Sequence, residues 1–580
     1  MIVPNPLGLY SVPEEAGKVF IEGIANNPKL TSLLPEDVFA FASRIKLVGN
    51  DSPSIPINWR FAESATALKM LEACMIAKLV EKKYGTKLSG ATINTDHASL
   101  FLMSTLLYTV YPDTEDAIPG TLAGPELARL DAKIPNYDFR QMQSSRHRIC
   151  ATSIYKTKDH RYFHIHGSMD PNPTLESIGL PMDSKATTWE EARAPFIEKL
   201  SQIDSQEMQR LATDVYGQAG VICESISSFR DSEHGKANAH VALFEIHDAP
   251  NPAHPPSWWP DSPQTSSKRP LAGLKVVDLT RVIAAPAVTR GLAELGASVM
   301  RVTSPNLVDY SYLHIDLNWG KWNSSVDLKT EEGKKLLRDL ILDADVVIQG
   351  YRPGVLDKYG FSQQAIIDLV ASSGRERGII SARENCYGWN GPWSQRSGWQ
   401  QISDACTGVS WAFGKAMGLE NGEPVTPVFP NSDYMTGIAG VVAILTALLR
   451  RADKGGSYKV DLALNYYNQW LVESVGEYPA HVWEDVWSRH GKKIFRCYHN
   501  MPFLVPAYIE MLRCNSSAEL FDPKFFEDRY SGAIDAVIRT VRPIIQFDKD
   551  EVELKYNVGT RGNGKDTPRW PQDLGVEVVS

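Results

Sequence analysis

Between residues 270 and 475 the chain alternates short apolar runs with amphipathic ones, and this alternation limits its fold more than any other feature. Leu274–Leu279 (LKVVDL) reads as a buried strand, Ala287–Gly296 as a helix ending in glycine, and Ser298–Val302 (SVMRV) as the next strand. A helix over Glu331–Leu342, a strand at Asp345–Ile348, a helix after Ser362 and a strand at Arg377–Ser381 follow. Short apolar strands separated by helices are joined by crossovers, which makes the sheet parallel. The predicted class is α/β, with a doubly wound, mainly parallel sheet.

The alternation has a clear upstream limit. Asp248–Pro270 (DAPNPAHPPSWWPDSPQTSSKRP) is dense in Pro and Ser and suits neither a helix nor an inner strand. A second shift in composition falls near Gly476–Asp485. The expected organisation is an N-terminal half over 1–250, a linker over 251–269, the α/β core over 270–475 and an α+β segment over 476–580. At 580 residues the chain is long enough for three or four domains. Its net charge of −9 and lack of a basic run argue against a nucleic-acid partner, while leaving room for local positive charge around an anionic substrate. Seven scattered cysteines without a C-x-x-C pair read as free thiols of a reducing compartment. The N-terminus lacks the basic and apolar regions of a signal peptide, and no uninterrupted apolar run approaches the ~20 residues of a membrane span. The C-terminal VEVVS is no peroxisomal signal. A cytoplasmic protein without a membrane partner is expected.

Pro430–Leu449 (PNSDYMTGIAGVVAILTALL) sets a single acid, Asp433, at the mouth of a long apolar helix. The N–H groups of a helix N-terminus favour an anion, and no basic partner stands within the motif. Two readings remain open on these residues alone: an acid that caps its own helix, or a nucleophile. The helix also has a counterpart. Set without gaps under Asn431–Gly455, the segment Phe61–Gly85 matches it at Thr66, Ala73, Ala77, Leu79 and Gly85. That register is consistent with an internal duplication in which Glu63, read as a helix-start acid, takes the place of Asp433.

Asp278–Pro286 (DLTRVIAAP) ends the first strand in a small-residue turn that opens a helix, the place where open parallel sheets bind phosphates and nucleotides. It contains neither a dinucleotide fingerprint nor a P-loop. Five blocks in order resemble the class III CoA-transferases, a family that includes formyl-CoA and carnitine CoA-transferases and α-methylacyl-CoA racemase. They are PLAGLKVVDLTRVIAAP, GLAELGASVMRV, NSSVDLKTEEGKKLLRDLILDADVVIQGYRPGVLDKYGF, CYGWNGPW and PNSDYMTGIAGVVAILTALLRR. The resemblance spans Pro270 to about Leu471 and implies a CoA-binding core. It matches Asp433 to the family's catalytic aspartate, which passes CoA from an acyl-CoA to a small carboxylic acid through an aspartyl-CoA thioester. It also implies CoA contacts at Val282 and Ile283, at Gly350, Tyr351 and Arg352, at Lys329 and Lys358 for the phosphates, and at Tyr387. Tyr387 lies in the Cys386–Pro392 loop, whose backbone N–H groups are candidates for oxyanion stabilisation. The implied cofactor is coenzyme A with no metal, and the family's intertwined dimers leave two assemblies open: a homodimer, or a duplicated chain that reproduces part of that arrangement internally.

Two departures bear on that expectation. Thr303-Ser304-Pro305 replaces the family's Glu-Arg-Pro, leaving open whether Arg301 supplies the missing cation. Gly398-Trp399-Gln400 replaces the racemase branch's Gly-His-Asp, which disfavours two-base proton exchange. A racemase and a non-catalytic acyl-CoA-binding homologue stay as alternatives. In the first half, Tyr155–Gly167 and Thr188–Tyr216 resemble the family's α+β small domain. His160, His164 and His166 read as strand residues in preference to metal ligands. The run Tyr556–Asp566 reads as a surface loop in preference to a phosphate cradle.

Overall fold

The computed structural model describes residues 10–120 and 125–579. Residues 1–9, where the reading of the N-terminus begins, and Ser580 of the VEVVS terminus lie outside the described residues. Seven strands build the central sheet: β1 (Phe244–Ala249), β2 (Lys275–Leu279), β3 (Ser298–Thr303), β4 (Lys321–Ser325), β5 (Val346–Gln349), β6 (Ile380–Asn385) and β7 (Ser457–Ala463). Their order is β4-β3-β2-β5-β6-β7-β1, with β1 alone antiparallel, Ile246 opposite Val460.

Six helices position the site: α1 (Phe61–Tyr84), α2 (Ala284–Glu294), α3 (Glu331–Asp343), α4 (Gln363–Ser372), α5 (Gln400–Thr407) and α6 (Asn431–Lys454). Neighbouring residues on one strand enter different cores. Val276, Val299 and Ile348 join the cluster that contains α2 and α6, whereas Val277, Met300 and Val347 join the one containing α3 and α4. Helices thus cover both faces, which is why these strands read as unbroken apolar runs. The order reverses between β2 and β5. The loops leaving their carboxyl ends, Arg281–Ile283 and Gly350–Arg352, flank the crevice that such a reversal creates.

Glycines set how closely α2 and α6 approach. A methyl on Gly437 would lie 2.7 Å from the Ala287 side chain, one on Gly440 2.5 Å from Val288, and one on Gly291 2.6 Å from Val441. These contacts advance together along both helices, so the two run side by side in the same direction. Their N-termini, carrying Ile283 and Asp433, therefore finish together at the carboxyl edge of the sheet. Of the described helices, α6 is long and apolar enough to cross a membrane, which the sequence reading had not credited to any segment. Most of its apolar window (94%) is buried inside the protein.

The other strands cross the sequence boundaries. β1 begins before the Pro-rich segment, runs into its first two residues, Asp248 and Ala249, and completes the core sheet at its edge. Phe526–Ser531 and Ala536–Val541 continue into Thr109–Val110 and Ile118–Pro119, and Ile545–Phe547 pairs with Ala91–Asn94. Ser153–Lys156, Tyr162–Ile165 and Gly220–Ile222 form a small antiparallel sheet. α1 and α6 share the register seen in the sequence: each has 24 residues, their N-cap residues Arg60 and Pro430 have φ, ψ of −76°, 60° and −74°, 59°, and glycines 85 and 455 end them.

Two sequence readings need correction. Strand β6 begins three residues later than expected and ends in Arg383-Glu384-Asn385, because its register with β5 and β7 continues past the apolar run. The run Tyr556–Asp566 is no surface loop: Arg561 is fully buried, bonded to Asp566 at 2.8 Å and to Glu577, and Asn563 holds Arg301. Replacing Gly440 by Val should destabilise the protein by about 1–3 kcal/mol through overpacking against Val288 and Leu462. Denaturant unfolding monitored by tryptophan fluorescence should show a lower midpoint with an unchanged slope.

Candidate active site

Three cavities join end to end at the carboxyl edge of the sheet. The first, about 170 Å³, is mostly apolar and has Leu106, Met142, Ile149, Val428 and Val505 among its walls. The second, about 340 Å³, is of mixed polarity and includes Arg140, Arg281, Arg352 and Arg396. Val282, Ile283, Ser168, Trp399 and Asp433 belong to both, so Asp433 stands at their junction. The third, about 270 Å³, runs from Tyr351 and Arg281 past Val302, Leu328 and Leu356 to Tyr359.

Asp433 is 9% exposed and lies in the first turn of α6. It does not cap that helix: the N-cap is Pro430, and the Asp433 carboxylate takes part in no hydrogen bond or ion pair among the described residues. Burial, and then the charges of Glu384 and Asp404, push its carboxyl well above the usual carboxylate range. Burial and like charge thus oppose the anion that the N–H groups at the helix mouth favour. Glu384, next to last in β6, lines the second cavity, and its carboxylate likewise has no hydrogen-bonding partner among the described residues; burial raises it to about 8. Asp404 on α5 is raised to about 7 by burial, although Asn468 donates to it at 2.9 Å and Gln400 also donates to it. The contrast with the matching helix is direct. Glu63 accepts from the hydroxyls of Tyr10 and Tyr478, the latter at 3.1 Å, lies 4.0 Å from Arg60 and lines none of the three cavities.

The turn beside Asp433 is strained. Val282 has φ = 71°, a left-handed conformation that costs a β-branched residue roughly 1–3 kcal/mol. Buried anchors hold it there. Asp278, at the end of β2, accepts from Thr289 of α2 at 2.6 Å, from Thr280, and from Lys321 at 3.1 Å. Burial lowers the Lys321 ammonium to about 8. A second network fixes the wall contributed by the first half: Tyr434, next to Asp433, donates to Thr105 at 3.0 Å, and Ser104 bonds Asp316, the partner of Arg290.

Of the residues implied by the family resemblance, Val282, Ile283, Gly350, Tyr351 and Arg352 line the second cavity, and Tyr351 continues into the third. Lys329 is exposed at the rim of the third. Lys358 is exposed on the turn Asp357–Tyr359 and lines none of the three. Tyr387 does not reach a cavity either; its ring is fully buried against His234 and Trp393. In the Cys386–Pro392 loop the N–H groups of Gly388, Trp389 and Asn390 are bonded to Asn385, Tyr466 and Asn238, so these three are not free to stabilise an oxyanion, while Cys386 at its start lines the second cavity. Arg301 is buried in an ion pair with Asp309 at 2.6 Å, so it does not replace the missing surface cation.

Sequence reasoning missed Arg281, Arg140 and Arg396 among the cations, and Glu384 and His166 beside the acid. Arg281 was legible, since it directly precedes Val282 in the quoted turn; it lies 5.0 Å from the Tyr351 ring. His166 lines the first cavity, stacked 5.3 Å from Trp399. Its Nδ1 accepts from the Ser168 N–H at 2.8 Å, and burial holds its pKa well below the usual imidazole value. It is thus a neutral donor through Nε2 and not a strong base. Among the described residues, Glu245, His247 and Asp461 bring ligand atoms within 4.8 Å of one another. Arg383 forks onto Asp461 at 2.7 and 2.9 Å, and Tyr466 donates to Glu245 at 2.6 Å, so these groups already hold one another. All seven cysteines are unpaired.

Comparison with known proteins agrees with this layout. Residues 271–497 match CoA-transferase family III. An acetyl-coenzyme A transferase of Hypoxylon pulicicidum is 50% identical over 98% of this chain and 95% of its own length. An acyl-CoA transferase of Gibberella moniliformis is 31% identical over 89% of each chain. The human succinyl-CoA:glutarate CoA-transferase is 30% identical over 36% of this chain and 48% of its own. With an acid at the meeting point of a cationic and an apolar cavity and a relative matched along almost its whole length, the chain belongs to the class III CoA-transferase family.

Proposed function

We propose that the protein moves CoA from an acyl-CoA donor to a carboxylic acid acceptor with Asp433 as the nucleophile. The observation that carries this reading is the unpartnered Asp433 carboxylate at the junction of the two cavities. A desolvated carboxylate lacking hydrogen bonds is costly to keep, and it is reactive for the same reason.

In this reading the adenine occupies the third cavity beside Tyr351, and the phosphates meet Arg281 and Arg352. The pantetheine arm crosses the second cavity, and the acyl group enters the first. Asp433 attacks the thioester carbonyl, forming a mixed anhydride and releasing CoA thiolate. The thiolate attacks the aspartyl carbonyl of that anhydride, giving aspartyl-CoA and freeing the donor's carboxylate. The acceptor carboxylate then attacks aspartyl-CoA, and the released thiolate attacks the acceptor carbonyl of the new anhydride. Acceptor-CoA leaves and Asp433 is restored, with no net proton consumed. The Trp399 indole, whose N–H is donated to Ser168 at 3.1 Å, provides no second base for α-proton exchange.

Asp433→Asn should lower kcat by at least about 10³-fold, as loss of a covalent nucleophile does. With acyl-CoA present, hydroxylamine should convert Asp433 of the wild type to a hydroxamate detectable by peptide mass spectrometry. Deuterium uptake at the α-carbon without any adduct would overturn the transferase reading in favour of a racemase.

The like charge of Glu384 raises Asp433, so Glu384→Gln should move the acid limb of kcat/KM to lower pH. Stability gives a second readout. A carboxyl raised by folding holds its proton more tightly in the folded state, so its contribution is complete below an unfolded value of about 4.3. For Glu384 that contribution is lost as pH rises towards about 8. Thermal unfolding of the wild type should weaken across this window, and Glu384→Gln should flatten the slope. An unmoved kinetic limb would show that the two carboxylates do not interact.

A further inference from the structure

The first cavity states what kind of acid the site accepts. None of its walls is a lysine or arginine; the single imidazole, His166, is neutral and already accepts from Ser168 through Nδ1. Its other polar groups are neutral amides and hydroxyls, several already engaged: Tyr310 donates to the Ser168 carbonyl at 3.1 Å, Thr105 accepts from Tyr434, Gln400 donates to Asp404, and Gln143 donates to Tyr312 at 3.4 Å. The body of the cavity is made by Leu106, Met142, Ile149, Val428, Met501 and Val505. Every arginine of the site lies on the other side of Asp433, in the second cavity.

A carboxylate entering the first cavity beyond the reacting carboxyl would meet neutral donors such as the His166 Nε2–H but no cation, and would lie beside a like charge. An uncompensated buried charge is strongly unfavourable. The volume, about 170 Å³, is close to the ~150 Å³ that takes one benzene ring. Roughly six carbons of branched or aromatic body would fill it.

Resting on the transferase reading above, we infer that the acid exchanged here carries one carboxyl group on a compact apolar body, and that dicarboxylates of similar length are rejected. The reaction in these terms is RCOO⁻ plus acyl-CoA giving RCO–SCoA plus the donor's carboxylate.

The test uses the whole chain with acetyl-CoA as donor and two acceptor sets, isovalerate and phenylacetate against succinate and glutarate, with product thioesters quantified by mass spectrometry. The expected kcat/KM ratio favours the apolar acids by at least ~100-fold, equivalent to ~2.8 kcal/mol at ~1.4 kcal/mol per tenfold. Met142→Arg, which places a cation in the wall, should shrink that ratio at least about tenfold. Transfer to succinate or glutarate as efficient as to the apolar acids would overturn this inference and leave the transferase reading intact. Failure of the transferase reading reads differently: no transfer to any acid, no exchange of labelled acetate with acetyl-CoA, and no hydroxamate at Asp433. In that event the affinities of isovaleryl-CoA and succinyl-CoA for the Asp433→Asn protein still decide. Tighter binding of isovaleryl-CoA supports the apolar preference, and equal affinities overturn it.

Discussion

The contact on which the site most depends is the glycine-lined approach of α2 to α6. Gly437, Gly440 and Gly291 let the two helices lie so close that a single added methyl on any of them would collide with the neighbour. Because the helices run in the same direction, that contact fixes more than a distance. It brings the strained Arg281–Ile283 turn and the Asp433 carboxylate to the same edge, at the same level, as parts of one rigid body. The sheet contributes the rest: the reversal between β2 and β5 opens the crevice, and the buried Asp278–Lys321 pair anchors the turn from below.

Electrostatic strain follows from that rigidity. Asp433, Glu384 and Asp404 are three acids in low-dielectric surroundings, and two of them lack any hydrogen-bond donor among the described residues. A flexible site would relax by turning such groups to solvent. Here Asp433 belongs to a fully packed helix and Glu384 to an inner strand, so neither can swing away. The matching acid Glu63, held by two tyrosine hydroxyls, shows how the same helix position looks when it is built for stability.

Much of the α/β core was legible in the sequence because strands buried on both faces must be apolar throughout. The same logic explains the misses. Strand β4 (Lys-Trp-Asn-Ser-Ser) and the end of β6 (Arg-Glu-Asn) carry polar side chains into ion pairs and cavities, so hydropathy does not mark them as strands. Asp433 was visible from its motif, but its electrostatics were not, since they depend on Glu384 and Asp404, which are 49 and 29 positions away in the chain. The apolar cavity was beyond reach for a related reason. Thr105, Leu106 and Met142 meet Met501 and Val505 only because strands from the two ends of the chain pair with one another.

That shared wall has a genetic consequence. When a site is assembled from two subunits, a chain damaged in one wall and a chain damaged in the other can pair to give one intact site. Here the carboxylate, its cationic neighbours and the apolar walls described above are encoded on a single polypeptide. Alleles altered at Asp433 and at Met142 therefore damage the same pocket of one chain.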